Sequence, residues 1–386
     1  MASLEAYLDN SATTKTLPQV NAAMEAVLTA DYGNPSSLHR MGIQAEEQVE
    51  EARKTVARAL GCKKNNIVFT SGGTESNNLA LIGYFLENKR KGTKLVTNWG
   101  EHPSVLRPVE FLSRQGLETV MISPDRKGDF SFNEIGEAID ENTALVSFMQ
   151  VNNETGKLTD IAALSRFVKE KNPQTVIHCD GVQSFLKVPC SMEELGVDLF
   201  SVSAHKVNGP KGVGALYVKD GVRLSPLLFG GGQEKGFRSG TENTAGIAGF
   251  GAAVKEHLSY REQEQKELFR LRKRLLSHLS VLEELQLHTD LENSAPHLLN
   301  LSFLGIRSEI LLHTLEEFGV FVSSGSACAA NSAKKKKVLE RMGHERAVFD
   351  SAIRFSLSSL TTQEEIDYGG EVIVREVINL RKRLNQ

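Results

Sequence analysis

Apolar runs recur between Asn66 and Val218, at Asn66–Thr70, Lys94–Asn98, Glu118–Ile122, Ala144–Met149, Thr175–Cys179, Leu199–Ser203 and Gly214–Val218. They are short and mostly rich in β-branched residues, and helical stretches separate most of them, which predicts an α/β fold. The expected architecture is a large domain whose mainly parallel seven-stranded sheet is flanked by helices, followed by a smaller α/β C-terminal domain. Leu38–Leu60 has apolar positions at helical spacing, with Asn34, Ser36 or Ser37 placed to cap its start and Gly61 to stop it. From Asn243 to Leu287 the pattern is continuously helical, the expectation for a long helix leading out of the large domain. Leu298–Leu304, Val320–Val322 and Ile353–Leu357 then read as strands of the second domain. The last helix opens on the capping-box pattern Thr362-Gln-Glu-Glu365 and ends near Arg381-Lys-Arg383, where positive charge suits a helix C-terminus.

Composition narrows the classes of partner. A net charge of −3 over 386 residues gives no reason to expect direct binding to nucleic acid or to an anionic membrane. The opening Met1–Asn10 has neither the basic nor the apolar region of a secretory signal, and no run approaches the ~18 apolar residues of a membrane span, so the expected compartment is the cytoplasm. The cysteines at 62, 179, 190 and 328 show no C-x-x-C spacing, so no disulfide framework and no metal site is expected.

Chemistry concentrates at strand ends. Lys206 closes Ser203-Ala-His-Lys206 just past one apolar run, and Asp180 opens Asp180-Gly-Val-Gln183 just past another. A lysine and an acid so placed suit pyridoxal phosphate, the lysine as its covalent anchor and the acid as partner of the protonated ring nitrogen. Ser71-Gly-Gly-Thr-Glu75 lies between a strand and a helix, where the glycine-freed backbone of a helix N-terminus binds anions. A tight turn is the plainer reading of the glycine pair, and Gly73, Thr74, Ser203 and His205 are the phosphate ligands if it is not. His102 in Glu101-His-Pro-Ser104 is either a polar loop histidine before a Pro-initiated helix or an aromatic plate that also carries protons. Cys328 stands in Ser323-Ser-Gly-Ser-Ala-Cys328, among small residues that do not look like a core strand, which suggests an exposed, mobile loop carrying a nucleophile. Arg354, a charge inside an apolar strand pattern, requires either a protein or a substrate carboxylate. The glycine-rich stretch Phe229–Thr241 suits close approach to a ligand or a second subunit. Lys334–Lys337 reads as a solvated helix turn or, less simply, as a dock for an acidic partner.

Together with Asp9-Asn-Ser-Ala-Thr-Thr14, Gly33-Asn-Pro-Ser-Ser37, Asn152-Asn-Glu-Thr-Gly156 and Arg238-Ser-Gly-Thr241, these motifs run in order nearly from end to end. In them the chain resembles the NifS/IscS-type cysteine desulfurases, class V members of the fold-type I pyridoxal phosphate enzymes, and the cysteine loop is the most specific element of the likeness. The resemblance implies that Lys206 holds the cofactor, Asp180 pairs with its ring nitrogen, Gln183 bonds its ring oxygen and His102 stacks on it. Gly73, Thr74, Ser203 and His205 would hold its phosphate, with Thr241 given by the second subunit of a homodimer. Asn152 would touch both cofactor and substrate. Asn34 and Arg354 would position L-cysteine, and Cys328 would carry the sulfur as a persulfide to an acceptor protein, an iron–sulfur scaffold or a thiolation enzyme. The expected division is a large domain over 16–257 and a small one over 1–15 and 258–386. Two other readings compete: a selenocysteine lyase or another class V lyase or aminotransferase, and a non-catalytic scaffold within a sulfur-transfer complex.

Overall fold

The computed structural model describes residues 4–325 and 337–384. Strand β1 (Ala6–Tyr7) is followed by the seven strands of one sheet: β2 (Ile67–Thr70), β3 (Lys94–Asn98), β4 (Glu118–Ile122), β5 (Thr143–Ser147), β6 (Val176–Asp180), β7 (Leu199–Ser203) and β8 (Gly214–Val218). Their order is β2-β8-β7-β6-β5-β3-β4. Only β8 runs against its neighbours, so the sheet is mainly parallel as expected. Most of these strands are buried along their whole length, which is why they read as unbroken apolar runs and not as alternating ones.

Beyond the sheet come β9 (Leu285–Leu287), β10 (Leu298–Phe303), β11 (Val320–Phe321) and β12 (Ala352–Ser356). The order β12-β10-β9 makes a second, antiparallel sheet, and β1 pairs with β11. Leu268, Leu275, Leu301, Phe355 and Ile373 belong to a second hydrophobic core, and Ala6 and Leu8 from the start of the chain are packed into it. The segment after β1 then crosses back: Ser11 N–H donates to Ser356 Oγ (2.8 Å), and Thr14 N–H donates to the His205 carbonyl (2.9 Å). This crossing lays residues 9–14 between β12 and the end of β7.

Three helix expectations need correction. The first long helix is Arg40–Leu60, and its N-cap is His39, whose Nδ1 accepts from Gly42 N–H (3.3 Å). Asn34 instead turns its own backbone, its Oδ1 accepting from Ser36 N–H (2.9 Å). The long helix is Thr244–Leu279, not continuous to Leu287: it kinks at Tyr260 (φ −139°), and Leu285–Leu287 forms β9 by pairing with β10. Gly61 stops the first helix at φ +64°, and Thr362 and Glu365 exchange the two bonds of the capping box (2.6 and 3.2 Å). No helix among the described residues is long and apolar enough to cross a membrane, and they contain no cluster able to hold a metal ion.

Candidate active site

Register brings the chemistry to one end of the sheet. Ser203, the last residue of β7, faces Gly214 of β8, and Gly214 faces Thr70, the last residue of β2. The turn after Thr70 therefore lies beside the end of β7. Gly72 there adopts φ +150°, a conformation that favours glycine. A Cβ on Gly73 would stand 2.6 Å from Val182 Cγ2, so the backbone of this turn approaches the Asp180–Gln183 segment as closely as it does only because the side chain is missing. The helix starting at Gly73 continues through a π-helical turn to Glu87.

Lys206 sits on a short 3-10 turn, Ala204–Lys206, directly after β7. Its Nζ donates to the carbonyls of Ser11 and Ala12, the latter at 2.8 Å. Asp180 ends the neighbouring strand β6 and is buried. Its Oδ1 accepts from Val182 N–H (3.0 Å) and its Oδ2 from Asn77 Nδ2 (2.7 Å), both neutral donors. Gln183 Nε2 donates to the Ser11 carbonyl (3.0 Å), the same oxygen that Lys206 holds, and Gln183 Oε1 faces His297 Nε2 (3.4 Å).

Ser203 Oγ is buried and makes no hydrogen bond among the described residues, a donor with nothing to give to. His205 Nδ1 is 3.2 Å from Thr13 Oγ1. Burial, helped by the charges of Lys206, Lys211 and Lys187, pushes the His205 pKa down to about 4, so it is a neutral ring at physiological pH. Thr74 is exposed at the start of the Gly73 helix, and Glu75 closes the turn by accepting from Ser71 N–H (2.8 Å) while it pairs with Arg238 (3.0 Å). An orphan buried hydroxyl, a neutral imidazole and a glycine-opened helix start fit a phosphate, and a buried carboxylate held by neutral donors, one strand over from the lysine, fits a protonated ring nitrogen. The residues present therefore fit pyridoxal phosphate.

His102 caps the helix Pro103–Arg114, its Nδ1 accepting from Ser104 N–H (3.1 Å). Asn152 Nδ2 donates to the Gly100 carbonyl (3.1 Å) and its Oδ1 accepts from the N–H groups of Glu154 and Thr155 (3.0 and 2.9 Å), so the side chain holds a turn together. Arg354 has found a protein carboxylate: Nη2 pairs with Asp9 Oδ1 (2.8 Å), Nη1 donates to the Asn153 carbonyl (2.8 Å), and Nε is buried without a hydrogen bond among the described residues. Asn34 and Thr241 are exposed, Thr241 just beyond the Gly240 that bonds Gln233 (2.9 Å). Cys328 and Lys334–Lys336 lie outside the described residues. Cys179 and Cys190 are buried, and Cys62 is partly so.

Sequence reasoning did not single out Lys187, a buried lysine whose Nζ has no hydrogen-bond partner among the described residues. Burial, reinforced by the nearby Lys206 charge, pushes its pKa down to about 7. Below pH 7 this lysine is charged in both folded and unfolded chains and the cost of burying the charge is fully felt. As pH rises from 7 towards 10.5 the folded lysine is neutral while the unfolded one is still charged, so stability increases across that window. Lys187→Met is expected to stabilise the fold on the order of 3 kcal/mol near pH 6, and by much less near pH 10. Urea midpoints at the two pH values check this, and an equal gain at both would contradict it.

Residues 6–368 match the Aminotransferase class-V family. The cysteine desulfurase IscS of Clostridium botulinum is 39% identical over 384 residues, covering 99% of this chain and 96% of its own length. The cysteine desulfurase IscS of Salmonella schwarzengrund is 42% identical over 383 residues, with 98% and 94% covered. Among solved structures, a NifS-like protein superposes with a TM-score of 0.92 at 38% identity, covering 98% of this chain and 100% of its own. SspA, solved in complex with cysteine, gives 0.81 at 31%, with 92% and 100% covered.

Proposed function

This chain belongs to the aminotransferase class-V family and is a cysteine desulfurase within it; we propose that the residues gathered at the ends of β6 and β7 convert L-cysteine to L-alanine and place the sulfur on Cys328. The observation that supports this reading best is the placing of Lys206 and Asp180 just past and at the ends of adjacent parallel strands, with the orphan Ser203 hydroxyl between them in sequence.

Lys206 would anchor pyridoxal phosphate, Asp180 would pair with its ring nitrogen, Gln183 with its ring oxygen, and His102 would cover its face. Gly73, Thr74, Ser203 and His205 would hold the phosphate, with Thr241 reaching it from the second subunit of a homodimer, and Asn152 would brace the ring and the substrate. When bound, the cofactor supplies an electron sink for the pair released at the substrate carbon. Arg354, its guanidinium plane fixed by Asp9 and the Asn153 carbonyl, orients the substrate carboxylate, with Asn34 beside it. Lys206 Nζ takes the Cα proton, and His102 moves protons to and from sulfur. Cys328 Sγ attacks the substrate sulfur: the Cβ–S bond breaks, an S–S bond forms, the sulfur is oxidised and the carbon reduced to a methyl group. Of the two thiol protons, one ends on that carbon and the other on the persulfide. The persulfide is then passed in the cytoplasm to an acceptor protein, an iron–sulfur scaffold or a thiolation enzyme.

Brief exposure to L-cysteine without reductant, followed by peptide mass mapping, tests the reading. One extra sulfur on the Cys328 peptide, with alanine formed, is the expected result. Alanine and elemental sulfur, with Cys328 unmodified, would replace it with direct lyase chemistry, in which the sulfur leaves two electrons more oxidised as the carbon is reduced.

A further inference from the structure

Asp180 and His102 lie on different elements, yet a continuous line of hydrogen bonds joins them, buried from Asp180 to Ser104 and part-buried at His102. Asn77, fully buried on the Gly73 helix, donates through Nδ2 to Asp180 Oδ2 (2.7 Å) and also to Ser104 Oγ (2.8 Å). Ser104 Oγ lies 2.8 Å from His102 Nδ1, and Ser104 N–H donates to that same nitrogen (3.1 Å).

The sense of each bond is fixed from the two ends. The Asp180 carboxylate can only accept, so the amide of Asn77 must present nitrogen and not oxygen to it; a flipped amide would set oxygen against oxygen. The Ser104 hydroxyl accepts from Asn77 and is left to donate onward. At the far end a backbone N–H can only donate, so His102 Nδ1 must be an acceptor, and it receives the Ser104 hydroxyl as well. The neutral imidazole therefore carries its proton on Nε2, and two donors hold its plane.

We propose that Asn77 and Ser104 are positioning residues of the desulfurase: they tie the histidine that moves protons to the carboxylate that holds the cofactor's ring nitrogen, and so fix the tautomer and orientation of His102. The proposal rests on the roles given above to His102 and Asp180. Neither Asn77 nor Ser104 needs to touch the substrate. An isolated cap would need only the Ser104 backbone, whereas the side chains of both residues serve the connection to Asp180. Ordered hydrogen-bond chains of this kind are sensitive to the loss of any member, because the neighbours of the missing group are left unpaired in a buried setting.

The test uses the full-length, cofactor-loaded protein labelled with nitrogen-15 in histidine, with alanine formation measured on the same samples. In the wild type the His102 Nδ1 resonance is that of an unprotonated, hydrogen-bonded nitrogen. Ser104→Ala and Asn77→Leu are each expected to move that resonance towards the position of a nitrogen with fewer donors, and to lower kcat for alanine about tenfold with KM nearly unchanged. Ser104→Thr, which keeps the hydroxyl, restores both. Asn77→Leu is the sharper variant because residue 77 makes no contact with His102 in the line of bonds. A His102 resonance unmoved in both variants overturns the connection, and a moved resonance with undiminished turnover overturns its part in catalysis. His102→Gln separates the underlying reading: wild-type turnover there would remove His102 from the reaction, while the resonances still decide whether Asn77 and Ser104 hold it.

Discussion

Lys206→Ala is expected to lower alanine formation from L-cysteine by about 10³-fold or more while leaving the fold intact. The fold should survive because the segment that Lys206 touches is held independently. Thr14 N–H and Oγ1 both donate to the His205 carbonyl (2.9 Å each), Asn208 N–H donates to Thr14 Oγ1 (2.8 Å), and Ser11 N–H donates to Ser356 Oγ (2.8 Å). Removing one amine from this lattice loses its bonds to the Ser11 and Ala12 carbonyls, while the backbone bonds that hold the segment remain. Lys206→Arg separates chemistry from scaffolding. A guanidinium keeps the charge and can still donate to those carbonyls, but it remains protonated at any working pH and can neither anchor the cofactor covalently nor accept a proton. Both variants should therefore be inactive, with circular dichroism and urea midpoints near wild type for Lys206→Arg. A Lys206→Arg protein that still made alanine at an appreciable rate would mean that the lysine serves the fold and that another group does the proton transfer.

The sequence carried the strand ends plainly, because buried parallel strands leave continuous apolar runs whose last residues can be counted. Asp180, Ser203 and Lys206 were legible for that reason, and so was the glycine turn after Thr70. What brings these groups to one point was not legible. Asp9 meets Arg354 only because the chain's first strand packs into the distal core and the next residues cross to β7, a contact made by tertiary folding with no local signal. Asn77 and Ser104 look like ordinary polar residues near helix starts; their relation to Asp180 and His102 emerges only when two helices and a strand are set side by side. The misplaced cap has a local cause. Asn34 was a reasonable N-cap by residue type, but it spends its oxygen on Ser36, and the imidazole of His39 takes the position instead. Leu285–Leu287 read as helix because a three-residue apolar alternation is too short to separate the two periods, and pairing with β10 decided for strand.

Cys328→Ser is expected to abolish sulfur transfer to any acceptor and to leave no persulfide anywhere on the chain. The stronger half of this prediction concerns the other thiols. Attack on sulfur needs a thiolate, and burial works against a thiolate at each remaining cysteine: it pushes Cys62 up to about 12, Cys179 well above the ordinary thiol range, and Cys190 up as well. At a pKa of about 12, roughly one thiol in 10⁴ is ionised at pH 8, so Cys62 cannot stand in for a lost nucleophile at a useful rate, and Cys179 and Cys190 are enclosed. A serine hydroxyl at 328 would keep the size of the side chain but offers no nucleophile at this pH and no stable bond to sulfur. The converse variant, with Cys62, Cys179 and Cys190 all replaced by alanine and Cys328 kept, should retain persulfide formation, with some loss of stability from the small buried gaps. Mass mapping of both proteins after L-cysteine reads the outcome directly. Sulfur found on the Cys62 peptide of the Cys328→Ser protein, together with wild-type alanine formation, would assign the nucleophile elsewhere. Sulfur confined to Cys328 in the triple variant would leave one thiol to account for all the sulfur transferred.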